Sequence, residues 1–219
     1  MTIKLYYHPL SSFCWKATIA LYENDTPFEK VVVDLMDEKS RAAFLAVWPI
    51  GQFPVIKDEA RDWMVPESSI IIEYLDQHHP GRTRFIPADP DKARQVRMRD
   101  RFFDLHVQVP MQHIMDDRFR ELRKADRDPI LVDRMRARLA TALGMIEDEA
   151  GRGWAMGEDF TMADIAALPA LFYADLAMPF GDSYPKAGAY LDRLKQRPSA
   201  ARTLKDAAPF LKEVFGAEP

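Results

Sequence analysis

The apolar periodicity changes once along this chain, and that change limits what it can fold into. Up to residue 80, strand and helix signals alternate; after residue 90 only helical spacing remains. Ile3, Leu5 and Tyr7 alternate with their neighbours and predict a first strand. Phe13, Ala17 and Leu21, with Cys14 and Thr18 beside them, recur at helical spacing up to a stop near Asn24-Asp25-Thr26-Pro27. Residues 28–33, rich in β-branched side chains, predict a second strand, parallel to the first because a helix-length crossover separates them. A polar helical segment over 37–45 leads to a hairpin, Val55 to Lys57 and Trp63 to Val65, and then to a helical face of Ile70, Ile71, Tyr74 and Leu75. The order βαβ-α-ββα describes a small α/β domain with a mixed sheet over residues 1–80. Residues 81–90 are rich in turn formers and read as a linker. Residues 91–219 read as an all-α domain, with stripes Leu131, Met135, Leu139, Leu143, Ile146 and Ile165, Leu168, Phe172, Leu176. Pro110 and Pro169 fall within helical patterns and are expected to kink or end those helices.

Charge and composition exclude several classes of function. With 47% hydrophobic residues and a net charge of −4, the chain is neither disordered nor a basic nucleic-acid binder. Residues 1–80 carry 7 basic and 12 acidic side chains, and the remainder 23 and 22. Arg94, Arg97, Arg99, Arg101, Arg118, Arg120, Arg123 and Lys124 are interleaved with Asp100, Asp104, Asp116, Asp117 and Glu121, the pattern of a salt-bridged helix face. The single Cys14 excludes an intrachain disulfide and suggests a reducing compartment. The first residues lack a secretory pattern, and no apolar run approaches the roughly 20 residues of a membrane span, so a cytoplasmic protein without a membrane partner is expected. His78, His79, His106 and His113 lack the spacing of metal ligands, and no metal is expected.

Three short segments carry the chemistry. His8-Pro9-Leu10-Ser11-Ser12 joins the first strand to the first helix and sets two hydroxyls where the unsatisfied N–H groups of a helix start converge. Either an ordinary N-cap serine or a catalytic donor fits there. Phe53-Pro54 opens the third strand; about 5–6% of X–Pro bonds are cis, so the residues alone predict trans. Pro66-Glu67-Ser68-Ser69 precedes a helical stripe and reads as helix initiation, with an acidic residue at the positive end.

Together these segments resemble the glutathione transferase family over nearly the whole chain. HPLSSFCWKATIAL is similar to the first loop and helix of the family's thioredoxin-like domain, WPIGQFPVI to its cis-proline segment, and PESSIIIEYLD to its glutamyl-binding segment. GEDFTMADIAALP is similar to a helix-start signature of its all-α domain; within it Thr161 with Asp164 forms a capping pair and Phe160 with Ile165 a hydrophobic staple, which are folding determinants. The resemblance implies glutathione as co-substrate and Ser11 as the hydroxyl that activates its thiol, with Ser12 as reserve and Tyr7 as a rival matching the strand-end tyrosine of other classes. It implies that Glu67 holds the γ-glutamyl ammonium, Ser68 the adjacent carboxylate, the Phe53 backbone, turned by a cis Pro54, the cysteinyl residue, and Gln52 the glycyl end. Trp48 departs from the family, where Asn usually precedes the proline, and leaves that loop's conformation open. Trp15-Lys16 after the serine pair resembles the class that isomerises maleyl-type acids, although Phe13 stands at that class's Cys position. Ser11 and Cys14 have the spacing of a redox C-x-x-C motif without its attacking thiol, so Cys14 is expected to be a buried small hydrophobe.

The energetics suit a single hydroxyl. A free thiol of pKa about 8.5 is only about 3% thiolate at pH 7. Lowering that pKa by about two units requires roughly 2.7 kcal/mol. A charge-assisted hydrogen bond contributes about 1.5–3 kcal/mol and a helix start about 0.3–1 kcal/mol. The implied activity is conjugation of glutathione to a small hydrophobic electrophile, lined by Leu10, His106, Val109 and His113, in a homodimer. Glutathione-dependent isomerisation, dehalogenation or peroxide reduction, and a non-catalytic interaction module, are the alternatives.

Overall fold

The computed structural model describes residues 2–122, 126–151 and 153–216. They form two compact units, one from the described residues of 2–86 with 197–216 and one from the described residues within 87–196. Arg123 and Lys124 of the basic series lie outside the described residues.

The first unit contains β1 (Ile3–Tyr7), α1 (Ser12–Glu23), β2 (Phe28–Val32), α2 (Glu38–Val47), β3 (Val55–Asp58), β4 (Trp63–Pro66) and α3 (Ser68–His78). The strands run in the order β2-β1-β3-β4; β2 is parallel to β1, and β1–β3 and β3–β4 are antiparallel. This is the expected mixed sheet. Ile3, Leu5 and Tyr7 are buried on one face of β1. On α3 the buried positions are Ser68, Ile71, Ile72, Leu75 and Asp76 together with Tyr74, so the apolar face is rotated from the expected one and Ile70 is exposed.

The sequence shows one stripe on α1, yet nearly every residue of that helix is buried. The reason is the last helix of the chain. It packs against α1 within this unit, as α3 does, although sequence pattern alone groups it with the helical segment. That helix, Pro198–Phe215, buries Thr203, Leu204, Ala207 and Leu211. Its start is clamped by Glu23 at the end of α1. The carboxylate accepts from Arg197 Nη2 at 2.6 Å, Arg197 Nε at 2.9 Å, Ser199 Oγ at 2.6 Å and Thr83 Oγ1 at 2.8 Å. Burial by itself raises the pKa of Glu23, but the bonds from Arg197, Ser199 and Thr83 outweigh it and hold the group below its ordinary value.

The second unit is helical: α4 (Pro90–Phe102), a π-helical segment (Phe103–Gln108), α5 (Val109–Leu122), α6 (Pro129–Glu149), α7 (Met162–Ala177) and α8 (Pro185–Lys195); α9 (Pro198–Phe215) is the helix of the first unit just described. Pro110 has no N–H to donate, and the hydrogen-bond register slips into the π segment immediately before it. Pro169, by contrast, does not end its helix: α7 runs through it. α7 is buried on almost all sides and forms the core of this unit. Thr161 and Asp164 form the expected capping box. Asp164 does more than cap: its Oδ1 also accepts from Ala155 N and Tyr190 Oη, both at 2.7 Å. The basic side chains are spent internally, with Arg94 on Asp91, Arg99 on Glu149, Arg101 on Asp104, and Arg118 on the carbonyls of Leu176 and Ala177 that end α7. Among the described residues, no helix is long and apolar enough to cross a membrane.

Removing one side of a buried ion pair strands the other, so Glu23→Ala is expected to lower the unfolding free energy by about 3 kcal/mol in chemical denaturation. Because the folded pKa of Glu23 is depressed, its contribution is complete above the ordinary carboxylate value and lost as pH falls through the lower folded value. Wild-type stability should therefore drop below about pH 4, and that part of the acid slope should vanish in Glu23→Ala.

Candidate functional site

The sheet register gathers the three chemical segments at one end of the first unit. Tyr6 at the end of β1 pairs with Val55 at the start of β3, and Val55 pairs with Pro66 at the end of β4. The chain therefore leaves β1 into the loop at residues 8–11, enters β3 from Phe53-Pro54, and leaves β4 into Glu67-Ser68, all on neighbouring strands.

The first loop is held by its own backbone. Ser11 N donates to the His8 carbonyl at 3.0 Å, Leu10 N to His8 Nδ1 at 3.2 Å, and the indole N–H of Trp15 to the Pro9 carbonyl at 2.6 Å. Ser11 is the N-cap of α1, with φ −77° and ψ 117°, and its Oγ accepts from Cys14 N at 3.3 Å. That bond uses an oxygen lone pair and leaves the hydroxyl proton to be donated. Capping and donation are thus compatible. Ser12 is buried as the first residue of α1, and Tyr7 is buried at the end of β1, where loss of solvent pushes its phenol above the ordinary value.

The Phe53-Pro54 bond is cis. The residues alone predict trans, and the family resemblance cis. The Phe53 ring lies 6.1 Å from His8 in a stacked arrangement, and Phe210 of α9 lies edge-on to His8 at 5.8 Å. Gln52 is exposed immediately before this segment. Trp48, where the family usually has Asn, ends α2 and packs on the cluster of Val33, Phe44 and Val55, and the Gly51 amide closes the turn onto its carbonyl at 2.9 Å. Gly51 adopts φ +72°, which its missing Cβ allows.

Glu67 is the N-cap of α3 with φ +69° and makes no side-chain cap bond. A non-glycine residue in that region is strained, and such strain collects at binding sites. Its carboxylate is exposed, while Ser68 begins α3 and is buried. Lys16 Nζ, on the buried side of α1, donates to Ser69 Oγ at 2.9 Å and ties the starts of α1 and α3 together.

The structure brings Ser11, Ser12, Tyr7, Phe53, Pro54, Glu67 and Ser68 to one end of the sheet; the residues predicted for the electrophile do not form one group within the helical unit. His106, exposed on the π segment and 5.5 Å from the Phe102 ring, lines a cavity of about 330 Å³ with Arg138, Thr141 and Met145. His113 lines a different cavity, of about 40 Å³, with Asp116 and Asp117. Val109 is half-buried where α5 begins, and Leu10, half-buried beside Ser11, belongs to the first unit. Of the two aromatic rings met here, His8 entered the sequence argument only as part of the loop, and Phe210 escaped it. The His-Pro pair after a strand was a signal for the first, but nothing local marks Phe210.

The remaining histidines are structural. Asp58 accepts from Tyr74 Oη at 2.7 Å, Arg61 Nη1 at 3.0 Å and lies 2.9 Å from His79 Nε2, and His78 packs on Tyr74 and Trp63. Among the described residues, no three His, Cys, Asp or Glu converge on a position for a metal.

Residues 5–83 match the model of the glutathione S-transferase N-terminal domain and residues 129–193 that of its C-terminal domain. The chain belongs to the glutathione S-transferase family. Glutathione S-transferase F6 of Arabidopsis thaliana is 26% identical over 92% of this chain and 99% of its own length. A probable maleylacetoacetate isomerase of Caenorhabditis elegans is 24% identical over 94% of each chain. A glutathione S-transferase from Methylobacterium radiotolerans, solved in complex with glutathione sulfonate, superposes with a TM-score of 0.78 at 28% identity, covering 93% of this chain and 94% of that one.

Cys14 is fully buried, and burial pushes its thiol up to about 12 despite the bond to Ser11. The native protein is therefore expected not to react with an aromatic disulfide reagent at about pH 8, and to react completely once unfolded, as followed by absorbance.

Proposed function

We propose that this chain is a glutathione transferase in which Ser11 donates a hydrogen bond to the thiolate of glutathione, and the thiolate attacks a small electrophile. The observation that carries the reading is the place of the Ser11 hydroxyl: it stands at the positive end of α1, and its oxygen accepts from the first turn through a bond that does not use its proton. The other segments fit the tripeptide. The Glu67 carboxylate, unused in capping, suits an ammonium, and the start of α3 at Ser68 suits a carboxylate. The backbone of Phe53 suits an extended peptide, with Gln52 next to it for the glycyl end. Protein residues hold the tripeptide, fix the sulfur and stabilise its charge; a general base is not required. Leu10, adjacent to Ser11, is the first candidate to meet the electrophile. The chain is read as a homodimer, as is typical of the family.

Ser11→Ala is expected to raise the pKa of the bound thiol by about two units and to cut turnover about a hundredfold near neutral pH. Ultraviolet titration of bound thiolate and steady-state rates check this. The same loss in Ser12→Ala or Tyr7→Phe, with Ser11→Ala active, moves the role to that residue. Glu67→Gln should weaken glutathione affinity by about tenfold or more with a smaller effect on turnover at saturation.

A second reading, glutathione-dependent isomerisation, is favoured by the likeness to the probable maleylacetoacetate isomerase over nearly the full chain. Glutathione is consumed in conjugation and returned in isomerisation, and product analysis separates the two.

A further inference from the structure

A cleft in the helical unit, lined by no residue of the proposed glutathione site, combines an under-used cation with aromatic walls. It opens between α4, the end of α6 and α8, with a volume of about 70 Å³, and its walls include Arg193, Trp154, Tyr190, Phe103 and Ile146. An arginine carries five N–H donors. Arg193 has a single protein acceptor among the described residues, the Gly151 carbonyl at 3.0 Å from Nη2, and its buried Nε has none. No carboxylate pairs with it among those residues. The guanidinium lies 5.3 Å from the Tyr190 ring and 6.0 Å from that of Trp154. Buried donors without acceptors are uncommon in folded proteins and call for a partner.

The cleft is built rigidly from below. Asp164 holds one wall through Tyr190 Oη and the next through Ala155 N, each at 2.7 Å. Trp154 is fixed by a mutual backbone pair with Gly157, at 2.7 and 3.0 Å, and by Phe160, 5.2 Å away edge to face. Gly153 allows this closeness, because a Cβ there would lie 2.3 Å from the Gly157 carbonyl oxygen. The second cation at the cleft, Arg99, is already neutralised by Glu149. One unneutralised guanidinium beside a carboxylate favours a monoanion over a phosphate dianion, and the aromatic walls favour a planar body.

We propose that this cleft is a second ligand site, for a small planar monocarboxylate. The carboxylate pairs with the Arg193 guanidinium through Nη1, which neither the Gly151 bond nor burial takes up, and the organic part lies against Trp154. The site is independent of glutathione chemistry and is suited to a metabolite or an effector rather than to the conjugation reaction.

Benzoate is the probe, with benzamide as its uncharged isostere, measured by calorimetry and thermal melting in the presence of saturating glutathione so that the first site is filled. Benzoate is expected to bind in the millimolar range or tighter and to raise the melting temperature, benzamide to do neither, and Arg193→Gln to lose at least about tenfold in benzoate affinity while glutathione affinity is unchanged. Arg193→Lys, which keeps the charge and loses the fork, should fall between them. Absence of benzoate binding, equal binding of benzamide, or full affinity in Arg193→Gln overturns the proposal. Should Arg193→Gln fail to fold, wild-type crystals soaked in benzoate decide: density beside Arg193 upholds the site, and density only elsewhere overturns it.

Discussion

The N–H groups left over where α1 and α3 begin set the terms for the rest of the first unit. Each helix start leaves donors without intrahelical partners, and each carries partial positive charge. Here two such starts lie at one end of the sheet, because β1, β3 and β4 are hydrogen-bonded neighbours and Tyr6, Val55 and Pro66 share a register. Ser11 satisfies part of this demand at α1, and Glu67, in a strained conformation, leaves α3 uncapped by a side chain. The end of the sheet thereby presents unsatisfied donors and partial positive charge before any ligand arrives.

Holding those helix starts still requires α1 to be fixed along its length. Both α3 and α9 pack against it, and the cost of surrounding a helix that carries Lys16 and Glu23 is met by giving each charge a partner. Glu23 draws its donors from Thr83, Arg197 and Ser199, far apart in sequence. Asp164 in the helical unit does the same for the loop at Ala155 and for Tyr190. Buried carboxylates in this protein work as staples between segments. Removing one costs more than a surface ion pair does, since buried donors such as Ser199 Oγ and Tyr190 Oη are left without an acceptor.

Alternation in β1, the crossover length before β2 and the hairpin signals sufficed for the parallel β1–β2 pair and the β3–β4 hairpin, since these depend on near neighbours and on the handedness of connections. The pairing of β1 with β3 that completes the sheet order came from the tertiary structure. Pro110 announced a disturbed helix correctly, but only the structure shows that the disturbance is a π segment. Pro169 did not break α7, because tertiary packing on every side outweighs one missing hydrogen bond. Ile70 was assigned to the buried face, and Ile72 took that place, as one residue turns a helix face by about 100° and two adjacent isoleucines leave that choice to the partner surface.

The residue types of the candidate site were legible for the same reason: serine at a helix start, proline before a strand and an acidic residue before a helix are local chemistry. By itself the amino-acid sequence determined the two-part organisation, the strand and helix order, the Thr161–Asp164 cap and the serine loop, all of which rest on interactions within a few residues. Tertiary structure decided that Phe53-Pro54 is cis, that α9 joins the first unit and sets Phe210 on His8, and that His106 and His113 line separate cavities. It also decided that Arg193, beside the rings of Tyr190 and Trp154, has no carboxylate partner among the described residues. Each of these depends on surfaces brought together from distant parts of the chain, and no local pattern records which surface will meet which.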